Sequence, residues 1–103
     1  MKYIVFQRGT ILDVVLFAES FTHALVCVDP MWVPRSAGFF RLTGDGLVST
    51  YHWSESLKLK PHRDDELLIE LRLHGSTAAV DEASMPIVRD AFQQLRRMRD
   101  GTE

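Results

Sequence analysis

The sequence predicts an α+β fold in which two β-hairpins form an antiparallel sheet that packs with two or three helices. The sheet is predicted by two stretches, residues 2–17 and residues 37–53. Each of them holds a pair of apolar runs separated by turn-forming residues. The C-terminal helix is predicted by an amphipathic run from Ser84 to about Arg99.

The composition is that of a small globular chain. Its 103 residues, 46% hydrophobic and 25% charged, suit one domain, for which ~100–200 residues are usual. We expect residues 1–75 to form the core domain, and residues 76–103 to form a linker and a helix that packs on the core or on a second copy.

No apolar run approaches the ~20 residues that span a bilayer. The lone Cys27 excludes an internal disulfide, so we expect a cytoplasmic protein.

The first hairpin is predicted to turn at Arg8-Gly9. Pairing Phe6 with Ile11 gives one wholly apolar face and one mixed face. The apolar face holds Met1, Tyr3, Val5, Leu12, Val14 and Leu16, and the mixed face holds Lys2, Ile4, Phe6, Ile11, Asp13 and Val15. Strands with apolar residues on both faces are covered on both sides, so these strands are expected at the centre of the sheet.

A short helix is predicted between the two hairpins, over residues 21–28, while the β-branched residues there leave a strand as the alternative. Ser20 is a suitable N-cap, and apolar residues recur at helical spacing, at Phe21, Ala24, Leu25 and Val28. Asp29-Pro30 ends this helix, because a residue before proline is pushed out of the helical region. Met31 to Arg35 is predicted to be a loop.

The second hairpin is predicted to turn within Gly44-Asp45-Gly46. Asp45-Gly46 and Gly44-Asp45 both suit a two-residue turn, and the two registers differ by two residues, so they predict the same faces. The expected core face holds Gly38, Phe40, Leu42, Leu47, Ser49, Tyr51 and Trp53. The expected outer face holds Phe39, Arg41, Thr43, Val48, Thr50 and His52.

The segment of residues 64–74 carries conflicting signals. Apolar and polar residues alternate, which is typical of a strand, yet most of them are strong helix formers. The acidic start and Gly75 at the end suit a helix, which we favour while the strand stays open. Before it, Leu57 and Leu59 alternate with lysines, which predicts either an extension of the second hairpin or a short separate strand.

The last part of the chain is predicted to be a linker followed by a helix. Residues 76–83 are mostly small or polar, and Ser84 is a suitable N-cap. The helix then carries an apolar stripe at Val88, Ala91, Phe92 and Leu95, with Met98 near its edge.

One part of the sequence resembles a known pattern. The runs Trp53–Leu59 and Arg63–Leu68, with the N-terminal run Lys2–Phe6, resemble a pattern in small uncharacterised bacterial and prophage-type proteins. This resemblance leaves out the tail after Gly75. It implies a short helix after Pro61 and a bacterial or phage cytoplasmic setting, and it implies no activity.

Six polar side chains are candidates for a binding site: Arg41, His52, Ser54, His62, Asp64 and Asp65. Carboxylates near a histidine suit acid–base or metal chemistry, although acidic residues at a helix start are favourable without any ligand. His23 and Cys27, four apart, would face the same way on a helix, as a pair of metal ligands would. A third ligand is absent nearby in the sequence, so we predict no metal, no cofactor and no catalytic residue.

Three functions remain compatible with the sequence. The leading one is a small non-enzymatic protein-interaction or regulatory protein that self-associates. A domain this small buries only about 60–65% of the surface that its unfolded chain exposes, so self-association would add stability. The second is a metal-binding protein or hydrolase-like enzyme that uses the His and Asp groups. The third is a weak nucleic-acid binder on the Arg41 and His52 face. The net charge of −2 and the assignment of Tyr51 to the core argue against the third. We expect a homo-oligomer with no membrane partner, and we rank nucleic acid last.

Overall fold

A computed structural model describes residues 1–27, 29–44, 47–74 and 79–99, with residues 95, 96, 98 and 99 described by their backbone alone. Within these ranges, a five-stranded antiparallel sheet and three helices confirm the α+β prediction. The strands are β1 Lys2–Arg8, β2 Ile11–Phe17, β3 Val33–Leu42, β4 Val48–Tyr51 and β5 Val80–Asp81. The helices are α1 His23–Val26, α2 Asp65–Leu73 and α3 Met85–Arg99. The strand order across the sheet is β4-β3-β1-β2-β5. No helix in the described ranges is long and apolar enough to span a membrane.

The first hairpin has the predicted faces although its turn lies one residue later. Arg8 pairs with Ile11, so the turn is Gly9-Thr10, and Gly9 has the positive φ of 61° that glycine adopts without strain. Phe6 therefore pairs with Asp13, which shifts the register by two residues. A shift of two keeps every side chain on its predicted face. The apolar face is buried at Tyr3, Val5, Leu12 and Val14.

The second hairpin differs from the prediction by one residue of register. Leu42 pairs with Val48, and the Thr43 N–H donates to the Leu47 oxygen at 2.8 Å. Three residues therefore lie between Thr43 and Leu47, whereas the predicted turn has two. Asp45 and Gly46, one of the two predicted turns, lie outside the described residues. A one-residue shift moves every side chain of β4 to the opposite face.

The core assignment of Tyr51 and Trp53 is consequently wrong, and that of Leu42, on β3, is wrong for a separate reason. Tyr51 pairs with Phe39 on the outer face of the sheet. Trp53 is 47% exposed, and Leu42, at the end of its strand, is 58% exposed. Val48 is buried in the core instead, at 2% exposure.

Apolar clusters cover both faces of the sheet, and β1 contributes to both, as predicted for a central strand. The larger cluster joins the sheet to α2 and α3 through Tyr3, Val5, Leu12, Val14, Phe40, Val48, Leu68, Ile69 and Met85. The smaller cluster, on the opposite face, is built on Ile4, Phe6 and Ala37. Residues after β4 and around α1 pack against it, at Val26, Cys27, Trp32, Leu57 and Leu59.

Two elements between the hairpins differ from their predictions. β3 begins at Val33, inside the predicted loop, and its pairing with β1 shifts between Val5 and Phe6. This shift leaves Arg35 as the extra residue of a β-bulge, next to Pro34, which has no N–H to donate to a ladder. α1 is shorter than predicted, because it starts after Thr22 and not after Ser20. Val28, the predicted end, lies outside the described residues.

The helix that we favour for residues 64–74 is present as α2, Asp65–Leu73. Its buried residues include both odd and even positions, Asp65, Leu67, Leu68, Ile69 and Glu70, which a helix packed on a sheet produces and a strand would not. Gly75, the predicted stop, lies outside the described residues.

Part of the predicted linker belongs to the sheet. β5, at Val80–Asp81, pairs with the start of β2. A 3₁₀ turn at Glu82–Ser84 follows, and the Asp81 carboxylate accepts the Ala83 N–H at 2.9 Å. Asp81 therefore caps this 3₁₀ turn. α3 begins at Met85, directly after Ser84, the predicted N-cap of this helix.

Candidate functional site

Asp65 is a fully buried residue that ties α2 to the sheet. The Tyr3 and Ser36 hydroxyls donate to its carboxylate at 2.7 and 2.8 Å, and the His62 N–H donates at 2.8 Å. Burial raises the pKa of Asp65, and the three donors offset this only in part. Burial and the neighbouring Asp65 also raise the pKa of Tyr3, so its hydroxyl stays protonated as a donor. Asp65 therefore acts as a structural acceptor.

Asp64 connects α2 to α3. The Arg89 guanidinium donates to both of its carboxylate oxygens, from Nε at 3.0 Å and from Nη2 at 3.1 Å. Burial alone would raise the pKa of Asp64, but the bonds and charge of Arg89 lower it below its ordinary value. The His62 ring accepts the Asp64 N–H at Nδ1, 3.2 Å away. His62, Asp64 and Asp65 thus contact one another, and the His62 Nδ1 also lies 3.8 Å from the Asp64 Oδ2. The two carboxylates are nevertheless bonded to separate groups, Asp64 to Arg89 of α3 and Asp65 to hydroxyls of the sheet.

Ser54 and the His23–Cys27 pair are also used by the fold. Ser54 is fully buried, and its hydroxyl accepts the Leu57 N–H at 3.3 Å. The His23 ring is buried and its Nε2 lies 2.9 Å from the Gly38 oxygen, which can only accept, so Nε2 carries the proton. Burial lowers the pKa of His23. Among the described residues, no three His, Cys, Asp or Glu side chains are grouped as metal ligands would be.

The outer face of the sheet carries a group of rings and cations that we call the aromatic patch: Lys2, Phe39, Arg41, Tyr51 and His52. Phe39 and Tyr51 are cross-strand neighbours with ring centroids 5.7 Å apart. The His52 ring meets both of them edge-on, at 5.9 and 5.2 Å. The Lys2 ammonium lies 5.4 Å from the Phe39 centroid, and the Arg41 guanidinium lies 5.4 Å from that of Tyr51. These distances suit cation–π attraction.

His52 is held in place by an unusual backbone. Its φ is 54°, in the left-handed region that residues other than glycine rarely adopt. The backbone oxygen of His52 would lie only 2.8 Å from a Cβ at Gly38, so glycine there permits the close approach. Such conformations persist where the surroundings impose them, and they are frequent at functional sites.

An open groove of about 690 Å³ adjoins the patch. Its lining is Lys2, Thr22, His23, Phe39, His52, Trp53, Glu55 and Ser56. Its volume falls within the ~300–1,000 Å³ that is usual for ligand sites. Of the six candidates from the sequence, only Arg41 and His52 belong to this surface.

The sequence also places Phe39 on the outer face, but it does not identify Tyr51, Trp53 or Lys2 as neighbours of these residues. A two-residue turn predicts Tyr51 and Trp53 in the core, because it is one residue shorter than the observed loop of the second hairpin. Lys2 was placed correctly on the mixed face of the first hairpin, but only its registry with Phe39 across β1 and β3 reveals its neighbours.

Comparison with known proteins finds no match of this chain to a family model, to a curated protein or to a solved structure. The fold and its surfaces are therefore the basis for a proposal about function.

Proposed function

We propose that the protein is a small non-enzymatic interaction protein that self-associates through α3. The observation that carries this proposal is the exposed apolar side of α3, where Ile87 is 74% exposed although Met85, two residues earlier, is buried at 3%. The non-enzymatic part is supported by Asp64, Asp65 and His23, each of which is bonded within the fold.

Among the described side chains of α3, two on one side connect the helix to the rest of the fold. Met85 enters the larger core cluster, and Arg89 bonds to Asp64 at the start of α2. On another side, Ile87 and Ala91 are exposed. Residues at Val88, Ala91, Leu95 and Met98 follow the alternating three- and four-residue spacing of a coiled-coil seam. The small Ala91 would allow a second helix to approach closely.

Charge indicates that the second helix belongs to another copy of the same chain. Asp81 and Glu82 precede α3, whereas Arg96, Arg97 and Arg99 lie in its last turns. In an antiparallel pair, the basic end of each α3 lies beside the acidic start of the other. The two helix dipoles are then also opposed, which is favourable. A two-fold pair of this kind is the commonest form of self-association.

We propose that the protein acts in the bacterial cytoplasm and is encoded by the bacterium or by a phage that infects it. The support is the single free thiol of Cys27, which reducing compartments keep reduced, and the sequence pattern around Trp53–Leu59.

Replacing Ala91 with glutamate is expected to weaken self-association by about tenfold or more, because it puts a charge into the apolar seam. The measurement is the mass of the protein by light scattering over a concentration series. Gln93→Glu is the matched control. It adds the same side chain two residues away, on nearly the opposite side of the helix, and should leave the mass unchanged.

A wild-type chain that stays monomeric at its highest soluble concentration would contradict the proposal. An equal effect of Ala91→Glu and Gln93→Glu would also contradict it, since the loss would then follow from added charge alone. Circular dichroism of each variant shows whether α3 remains helical.

A further inference from the structure

We propose that the aromatic patch and its groove bind a short single-stranded nucleic acid. In this arrangement, bases stack on the half-exposed and exposed rings of the patch and of Trp53. The phosphates lie near Lys2 and Arg41. This site is separate from α3 and does not depend on the self-association proposed above.

One cation and two rings of the patch form a row across three strands. Lys2 of β1 is in register with Phe39 of β3, and Phe39 is in register with Tyr51 of β4. Side chains in register on neighbouring strands lie side by side on one face of the sheet. His52 and the 47% exposed Trp53 continue the aromatic surface into the groove. Rings on an open sheet face are the platform on which proteins stack unpaired bases.

The two cations of the patch differ from three arginines of the fold that are paired with carboxylates. Arg35, Arg72 and Arg89 each have a carboxylate within 4.0 Å, on Glu82, Asp13 and Asp64. Within the described part of the chain, no carboxylate lies that close to Lys2 or Arg41.

The contacts of Lys2 and Arg41 leave N–H groups available to a ligand. The Lys2 ammonium donates to the Phe21 oxygen at 2.8 Å, which uses one of its three N–H groups. Arg41 is exposed and lies over the Tyr51 ring. Cations without carboxylate partners beside exposed rings suit a ligand that presents both anionic groups and planar faces.

The charge of the chain limits the ligand to a short segment. A net charge of −2 provides no long-range attraction for a polyanion, and Glu55 lies at the groove. Lys2 and Arg41 can neutralise about two phosphates. A duplex keeps its base faces stacked inside, so only an unpaired strand can offer them to these rings.

The observed register of β3 and β4 brings the rings of this site together on the outer face. With the predicted register, Tyr51 lay in the core and the outer face held a single phenyl ring, which argued against nucleic acid. The observed loop places Tyr51 against Phe39 and under Arg41.

The test is fluorescence anisotropy of a labelled oligothymidylate of about ten nucleotides, titrated with the full chain at several salt concentrations. Binding at low salt that weakens as salt rises is expected. Tyr51→Ala should weaken it about tenfold or more, whereas Tyr51→Phe, which keeps the ring, should preserve it. Arg41→Ala should weaken binding and reduce the salt slope by about one unit.

Arg8→Ala is the matched control for Arg41→Ala, because Arg8 is an exposed arginine at the other end of the neighbouring strand. It should leave the affinity unchanged. The proposal is overturned if the wild type does not bind at low salt, if a duplex of the same length binds as tightly, or if Arg8→Ala is as harmful as Arg41→Ala. Thermal unfolding of Tyr51→Ala checks that this variant folds. If it does not fold, the test is made with the two separate variants Tyr51→Phe, which should bind as the wild type does, and Arg41→Ala, which should bind more weakly.

Discussion

Replacing Asp65 with alanine is expected to lower the free energy of unfolding by about 3–5 kcal/mol. The change leaves the Tyr3 hydroxyl, the Ser36 hydroxyl and the His62 N–H without their acceptor at a buried site. Small domains are stable by only about 5–15 kcal/mol, so much of the stability would be lost. Urea unfolding at neutral pH, followed by circular dichroism, measures the effect.

Asparagine at the same position is the control for this prediction. Its amide oxygen can accept from Tyr3 and His62, and its NH₂ can donate to the Ser36 oxygen, so most of the bonds survive. We expect a loss of about 1 kcal/mol. If Asp65→Ala were no more harmful than Asp65→Asn, the three hydrogen bonds would not be what makes Asp65 important.

The asparagine variant also tests the protonation of Asp65. Burial raises the pKa of Asp65 above its ordinary value of 3.8, so the folded state holds the proton more tightly than the unfolded state does. The stability gained in this way is fully present below the ordinary pKa, and it is lost as pH rises through the folded pKa. Asparagine does not titrate there, so the variant should gain stability relative to wild type over that range. A relative loss with rising pH would show that the folded pKa is lowered instead.

Replacing Gly38 with alanine is expected to lower the free energy of unfolding by about 1–3 kcal/mol. An added Cβ would lie 2.8 Å from the His52 oxygen and 3.0 Å from the Pro61 Cγ. The nearer atom belongs to the backbone, so the chain at His52 has to shift. Chemical unfolding measures the loss, and oligothymidylate binding should also weaken because His52 belongs to the aromatic patch.

Gly44→Ala is the matched control for Gly38→Ala. Nothing lies within 4 Å of a Cβ built at Gly44, so the unfolding free energy should change by no more than about 0.5 kcal/mol. Equal losses from the two substitutions would mean that the close approach of His52 to Gly38 is not their cause.

The predictable parts of the fold are those that depend on local pattern. Alternation in Lys2–Arg8 and Ile11–Phe17 predicted their faces, and these survived an error in the turn because that error was two residues of register. Helix-forming composition outweighed apparent alternation in Asp65–Leu73. The short α1 and the start of β3 at Val33 were mispredicted, since pairing with β1 extends a strand into residues without a strong local signal.

The candidate site was harder to predict than the fold. Asp64, Asp65 and His62 were chosen because titratable groups cluster in the sequence. Their neighbours in space, however, are Arg89 and Tyr3, which are distant along the chain. Asp64 and Asp65 are buried and bonded to these distant residues, so they join α2 to α3 and to the sheet and do not form the predicted binding site.

The sequence by itself determined the fold class, the elements with strong local patterns and the two faces of the first hairpin. Only the tertiary structure decided which face of β4 points outward, because the loop sequence suits more than one length. Val48 packs in the core and its N–H donates to the Glu70 carboxylate of α2 at 3.4 Å, contacts that belong to the observed register. Strand side chains alternate with a period of two, so this single residue of shift moved Tyr51 from the core to the aromatic patch.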